Sequence, residues 1–251
     1  MFVMVDSDKS DFLIIKTHNE GAEAELTRGD QRMVEIDPAG VTITRGLRNQ
    51  IPDPADADAQ ALLAKIFAAH KESDGLTLVN LATEFRTKFG WSPRVEWLRV
   101  LGLETVRADS LIAEQQRLIQ ELEAGKAGTP PADAVPLVAP IAAETWDWAL
   151  GANYLNLMEW LWKEARYDDA HAMFEKSLVG LSESDDNGRR IERSLFKASC
   201  EAHLNRPTEA LGTMERAYAL DVQEFERLWR LYGLRMPELA PLVERVKEES
   251  K

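Results

Sequence analysis

Tyr167-Asp168-Asp169-Ala170-His171-Ala172-Met173-Phe174-Glu175-Lys176-Ser177-Leu178 and Pro207-Thr208-Glu209-Ala210-Leu211-Gly212-Thr213-Met214-Glu215-Arg216-Ala217-Tyr218 are two versions of one pattern. Ala170-x3-Phe174-x2-Ser177-Leu178 in the first matches Ala210-x3-Met214-x2-Ala217-Tyr218 in the second, at an offset of 40 residues. Positions four apart are neighbours on a helix surface, so each segment reads as a helix with one packed face. Self-similarity at a fixed offset marks a repeated supersecondary unit. Upstream, Tyr154-x2-Leu157 and Leu161 carry the same helical spacing.

This pattern resembles the tetratricopeptide repeat family, whose unit of about 34 residues is a helix–turn–helix with a small residue where the paired helices cross. The resemblance puts Ala170 and Ala210 at those crossings, where bulk would push the helices apart. It is not uniform. Met158 stands where the family prefers glycine, and Ser194, Lys197 and Glu201 occupy positions that are usually apolar. The extra length fits a surface insertion in the polar loop Ser182-Glu183-Ser184-Asp185-Asp186-Asn187-Gly188. Two units are too few to stack alone, so the helix from Pro140 to Gly151 and the segment from Val222 to Lys247 are expected to cap them. In the family, the first helix of each unit lines a concave surface. Carried over residue by residue, that lining is Leu155, Glu159, Trp162 and Lys163 from the first unit and Leu195, Ser199, Ala202 and His203 from the second. It lacks the lysine and asparagine set with which chaperone-binding members clamp a peptide carboxylate.

Moving upstream, residues 125–140 hold four prolines and two glycines and read as a linker. Before it, helical spacing runs from about Asp58 to His70, from Thr77 to Phe89, and from Ser92, where Ser-Pro is a strong start signal, to a stop at Gly102. A fourth helix covers roughly Asp109 to Glu123. Alternating Arg32–Ile36 and Val41–Thr44 around Asp37-Pro38-Ala39-Gly40 predict a hairpin, and Phe12–Ile15 a further strand. The expected fold class is therefore α+β, mostly α. A small N-terminal β-hairpin sheet with a trihelical unit fills residues 1–124, a linker 125–140, and a tetratricopeptide-like antiparallel helical-hairpin domain 141–251.

The trihelical unit loosely resembles small winged-helix modules that bind RNA or DNA. That resemblance makes the helix from Ser92 a recognition helix, with Arg94 and Arg99 toward nucleic acid and Arg86 and Lys88 for phosphates. Charge points the same way. The chain of 251 residues has 43 Asp and Glu against 30 Lys and Arg, a net charge of −13. Only residues 61–110, with 7 basic and 6 acidic side chains, escape the acidity. So the whole chain is no general phosphate binder, while one local face stays open.

The search for chemistry returns little. Neither a phosphate-binding glycine loop nor a G-x-S-x-G elbow occurs. Cys200 and His203 share a helix face, but two ligands do not make a metal site, and a packed cysteine beside a surface histidine is the plainer reading. Asp168-Asp169 suits a helix start and Asp185-Asp186 a polar loop. Arg189, Arg193 and Lys197 recur every four residues and read as a solvated basic stripe. Of seven tryptophans, Trp146, Trp148, Trp160 and Trp162 fall within 17 residues. Trp160 and Trp162, two apart, cannot share a face, so one is expected to be buried and the other to sit at a groove or a domain contact. No stretch is long and apolar enough for a membrane span, the N-terminus lacks a signal-peptide pattern, and a lone cysteine suits a reducing cytosol.

The expectation is a cytoplasmic, non-enzymatic protein–protein interaction adaptor, without cofactor or metal, binding a peptide or helix of a protein partner. The competing expectation is a regulator whose middle unit binds nucleic acid while the repeats sense a partner.

Overall fold

The structure is a computed structural model that describes backbone and side chains for residues 51–181 and 187–249. By contacts the chain divides into residues 1–50 and residues 51–251. Over residues 51–181 and 187–249 every regular element is helical. The α+β class is thereby corrected to an all-helical one. The expected hairpin sheet falls in residues 1–50, outside the residues whose side chains are described.

Helices α1 (Ala57–Lys71), α2 (Gly75–Phe89) and α3 (Pro93–Thr105) share one core of Leu62, Leu63, Ile66, Leu78, Phe85, Val95 and Leu98. The start signals are side chains that satisfy orphan amide groups of the first turn. Asp56 accepts from the Ala59 amide at 2.9 Å, and Asp74 caps α2, which starts at Gly75 rather than Thr77, by accepting from the Thr77 amide at 3.0 Å. Gly102 does not stop α3, which continues to Thr105. A Cβ there would lie 2.9 Å from Val79 Cγ2 and 3.0 Å from the Gly75 carbonyl oxygen, so this glycine lets α2 and α3 cross closely.

The segment expected as a linker is bonded along its length. Trp91 donates its amide to the Asp133 carbonyl and Val135 donates to that of Trp91, both at 2.8 Å. Ala55 donates to Pro136 at 2.8 Å, Val138 donates to Asp53 at 2.9 Å, and Val135 is buried. Gly90 makes this possible. It has φ +96, and a Cβ would sit 1.8 Å from the Asp133 carbonyl oxygen. Residues 51–251 thus form one unit with no break at 125–140.

A second core runs from α4 (Leu111–Lys126) through α5 (Ala143–Lys163), α6 (Tyr167–Ala172), α7 (Phe174–Ser177), α8 (Asn187–His203), α9 (Pro207–Leu220), α10 (Val222–Tyr232) and α11 (Ala240–Glu249). Helix α5 packs on α6 and α7, α8 on α9, α10 on α8 and α11 on α9. These are packed helical hairpins of a kind compatible with a helical repeat. Ala170 and Ala210 are fully buried where the helices meet. In place of the expected N-terminal cap, Pro140 to Gly151, the chain enters α5 at Ala143, and Val222 to Lys247 folds as α10 against α8 and α11 against α9. Among the described residues no helix is long and apolar enough to cross a membrane.

Candidate functional site

The open face of α5 carries the first unit's lining residues. Leu155, Glu159 and Trp162 are half-buried and Lys163 is exposed, at helical spacings that keep them on one side. Trp160, two residues from Trp162, is buried and donates its indole N–H to Glu104 at 2.8 Å. Trp162 donates to Ser199 Oγ at 2.8 Å and meets the Phe196 ring edge-on at 5.5 Å. Phe196 in turn meets Tyr232 edge-on at 5.7 Å. One aromatic from each of α5, α8 and α10 therefore forms a row across three helices, in the tilted geometry that ring quadrupoles favour.

Between α10 and α11 the chain makes two short 3-10 turns, Gly233–Arg235 and Pro237–Leu239. Helix α10 and these turns run alongside α8 in the same direction. Glu224 lies at Gly188, Tyr232 donates to Glu192, and Ser199 donates to Glu238. Met236 and Leu239 are buried by the turns. This corrects the second unit's expected lining. Leu195 and Ser199 are wholly buried. Among those four positions, Ala202 is half-buried and His203 exposed. His203 stacks on Tyr167 at 4.0 Å and lies 3.5 Å from Glu238. The sequence pattern missed Tyr232, Arg235 and Glu238 beside α5 and α8, because it treated Val222–Lys247 as a cap.

The four cations expected to meet nucleic acid all face carboxylates. Arg86 lies 2.9 Å from Asp133 and 3.3 Å from Glu96, Arg94 lies 2.7 Å from Asp53, and Lys88 lies 2.5 Å from Glu84. Arg99 lies 3.0 Å from Glu96 and also bonds Glu114. Glu96 is only 1% exposed and takes Arg117 as well, at 2.9 Å. Such a buried carboxylate is tolerable because several guanidinium groups satisfy it. Burial works against the neighbouring Glu114 carboxylate, but hydrogen bonds from Arg99 and Arg117 overcome it and hold its pKa below the ordinary value.

The remaining candidates are also accounted for by packing. Arg193 of the expected basic stripe is buried and donates to the Ser177 carbonyl at 2.8 Å, while Lys197 lies 4.4 Å over the Phe174 ring. Burial pushes the Cys200 thiol up to about 12, with the Glu201 charge adding to it, which is the reverse of what a nucleophile needs. Glu201 is itself buried, 3.2 Å from His171, with its second oxygen unpartnered. Asp169 pairs with Arg166 at 2.6 Å. Asp185-Asp186 lies outside the described residues. No group of three or more His, Cys, Asp or Glu among the described residues could hold a metal ion. A cleft of about 610 Å³, unforeseen in the sequence, opens between the α3–α4 turn and the end of α5, lined by Glu104, Arg107, Leu111, Trp160 and Lys163. No protein-family model, curated protein or solved structure matches the chain.

Proposed function

We propose that the protein is a non-enzymatic interaction adaptor of tetratricopeptide-like hairpins that holds a peptide segment or helix of a partner protein, acting in the cytosol. The supporting observation is the half-buried Trp162 on the open face of α5, flanked by Leu155, Glu159 and Lys163, with its indole fixed by Ser199. A rigid, partly exposed tryptophan supplies large apolar contact area at little entropic cost, which is the usual make-up of an energetic anchor. The mechanism is groove binding: the partner buries apolar side chains against Leu155 and Trp162, and polar contacts at Glu159 and Lys163 set its register. The regulator reading has no observation in its favour, because Arg86, Lys88, Arg94 and Arg99 each meet a carboxylate.

A photo-crosslinking residue placed at position 155, compared with one at position 209 on α9, tests this in the native host. Adducts to a recurring partner peptide at 155, absent at 209 and lost on Trp162→Ala, are expected. Adducts equal at both positions overturn the groove.

A further inference from the structure

We infer that the groove's occupant is a basic, arginine- or lysine-bearing segment of a partner protein, and that Arg235 holds its place from within the chain. This deepens the groove reading and rests on it. Arg235 sits on the turn after α10, yet its Nη1 reaches 3.9 Å from Glu159 Oε1 on α5, across the row of Trp162, Phe196 and Tyr232. Its side chain is 61% exposed, and a single exposed ion pair holds weakly. A partner entering beside Trp162 displaces it at little cost, provided the partner brings a cation to replace it.

The surroundings favour that replacement. Three carboxylates from three elements face the groove: Glu159 on α5, Glu192 on α8 and Glu238 on the second 3-10 turn. Tyr232 gives one hydrogen bond to Glu192 and Ser199 one to Glu238, and a carboxylate has room for more. Glu159 and Glu238 are 26% and 21% exposed, so their charges act through a medium less screening than bulk water. Against them stand Lys163, Arg235 and His203. A guanidinium can also stack on an indole or phenol face, which Trp162 and Tyr232 offer. An acidic segment would place like charges beside three glutamates while removing Arg235. The net charge of −13 steers a basic partner toward the chain before contact.

The test uses the full chain and two labelled amphipathic peptides, one of leucine and arginine, one of leucine and glutamate, followed by fluorescence anisotropy. Arg235→Ala should tighten the leucine–arginine peptide about fivefold, since a competing internal cation is gone. Arg245→Ala, which removes the same charge from a side chain 60% exposed on α11, should leave it unchanged. Glu159→Gln should weaken it about tenfold, with unaltered thermal unfolding as the check on folding. Equal effects of the two arginine variants, or binding of the leucine–glutamate peptide as tight as the basic one, overturn the inference. If the acidic peptide binds and Trp162→Ala abolishes it, the groove stands and the basic occupant falls. If the basic peptide binds and Trp162→Ala has no effect, the groove reading itself falls. Binding of neither peptide overturns the basic occupant and leaves the groove to its crosslinking test.

Discussion

Trp162 and Ser199 are joined by a hydrogen bond of 2.8 Å that ties α5 to α8, and the same serine hydroxyl donates onward to Glu238. Ser199 is wholly buried, whereas Trp162 is half-buried and Glu238 is 21% exposed, so both partners have some access to water. Ser199→Ala should therefore cost about 0.5–1.5 kcal/mol, the net worth of an ordinary hydrogen bond. Urea unfolding measures it. A loss within a few tenths of a kcal/mol would show that the indole finds another acceptor. The same variant should weaken any ligand of the groove, because the tryptophan ring loses its fixed orientation.

Gly90 and Gly128 both have positive φ, +96 and +82, but differ in space. A Cβ at Gly90 meets the Asp133 carbonyl oxygen at 1.8 Å, while one at Gly128 meets nothing within 4 Å. Gly128→Ala should cost only the left-handed penalty of about 1–2 kcal/mol. Gly90→Ala adds a collision that pulls residues 133–138 off Trp91, and should cost at least about 3 kcal/mol. Hydrogen exchange at the Trp91 and Val135 amides should rise in Gly90→Ala alone. Equal losses in the two variants would contradict the crossing geometry.

Glu96 is the hub of Arg86, Arg99 and Arg117. Without Glu96, Arg86 keeps Asp133 and both Arg99 and Arg117 keep Glu114, so no cation is left unpaired. Glu96→Ala should therefore cost about 1.5–3 kcal/mol by denaturant midpoint, the range for a hydrogen bond to a charged group. Arg86→Ala and Arg99→Ala should lower stability and leave affinity for duplex DNA or RNA unaltered at low salt. A salt-dependent affinity lost on these substitutions would restore the nucleic-acid reading.

Tyr232 has its pKa raised above 10.0 by burial and then by its bond to Glu192, and Tyr154 likewise by burial and Glu123. A raised phenol pKa means that the folded state favours the neutral form. Its stabilising contribution is whole below the unfolded value near pH 10 and is lost as pH rises through the folded one. Thermal midpoints should thus drop above pH 10 more steeply than in Tyr232→Phe. In Glu192→Gln, phenolate absorbance should appear at lower pH. An unchanged titration would show that the Tyr232–Glu192 bond does not hold in solution.

Much of the helical order was legible because its signals are local. The Ser-Pro start of α3 and the Ala170 and Ala210 spacing each depend on residues within a turn or two of one another. The Leu155, Glu159, Trp162 and Lys163 face was legible for the same reason, since helical period alone places them together. The α+β class did not hold, because alternation is a local signal confined to residues 1–50, while every regular element over residues 51–181 and 187–249 is helical.

What the sequence determined by itself was periodicity: where helices run, which face of each is apolar, and that two of them repeat. The tertiary structure decided which charges and which faces remain open. Arg86 and Arg99 look like free cations in the bare sequence, and only long-range folding brings Asp133 against the first and Glu114 against the second. Ser199 has the spacing of a groove residue, and only the chain's return through Met236 and Glu238 buries it. Arg235 has no motif at all, and its place beside Glu159 exists because α8 packs on both α5 and α10. Helical period is a property of neighbours in sequence, whereas burial and charge pairing belong to residues tens of positions apart.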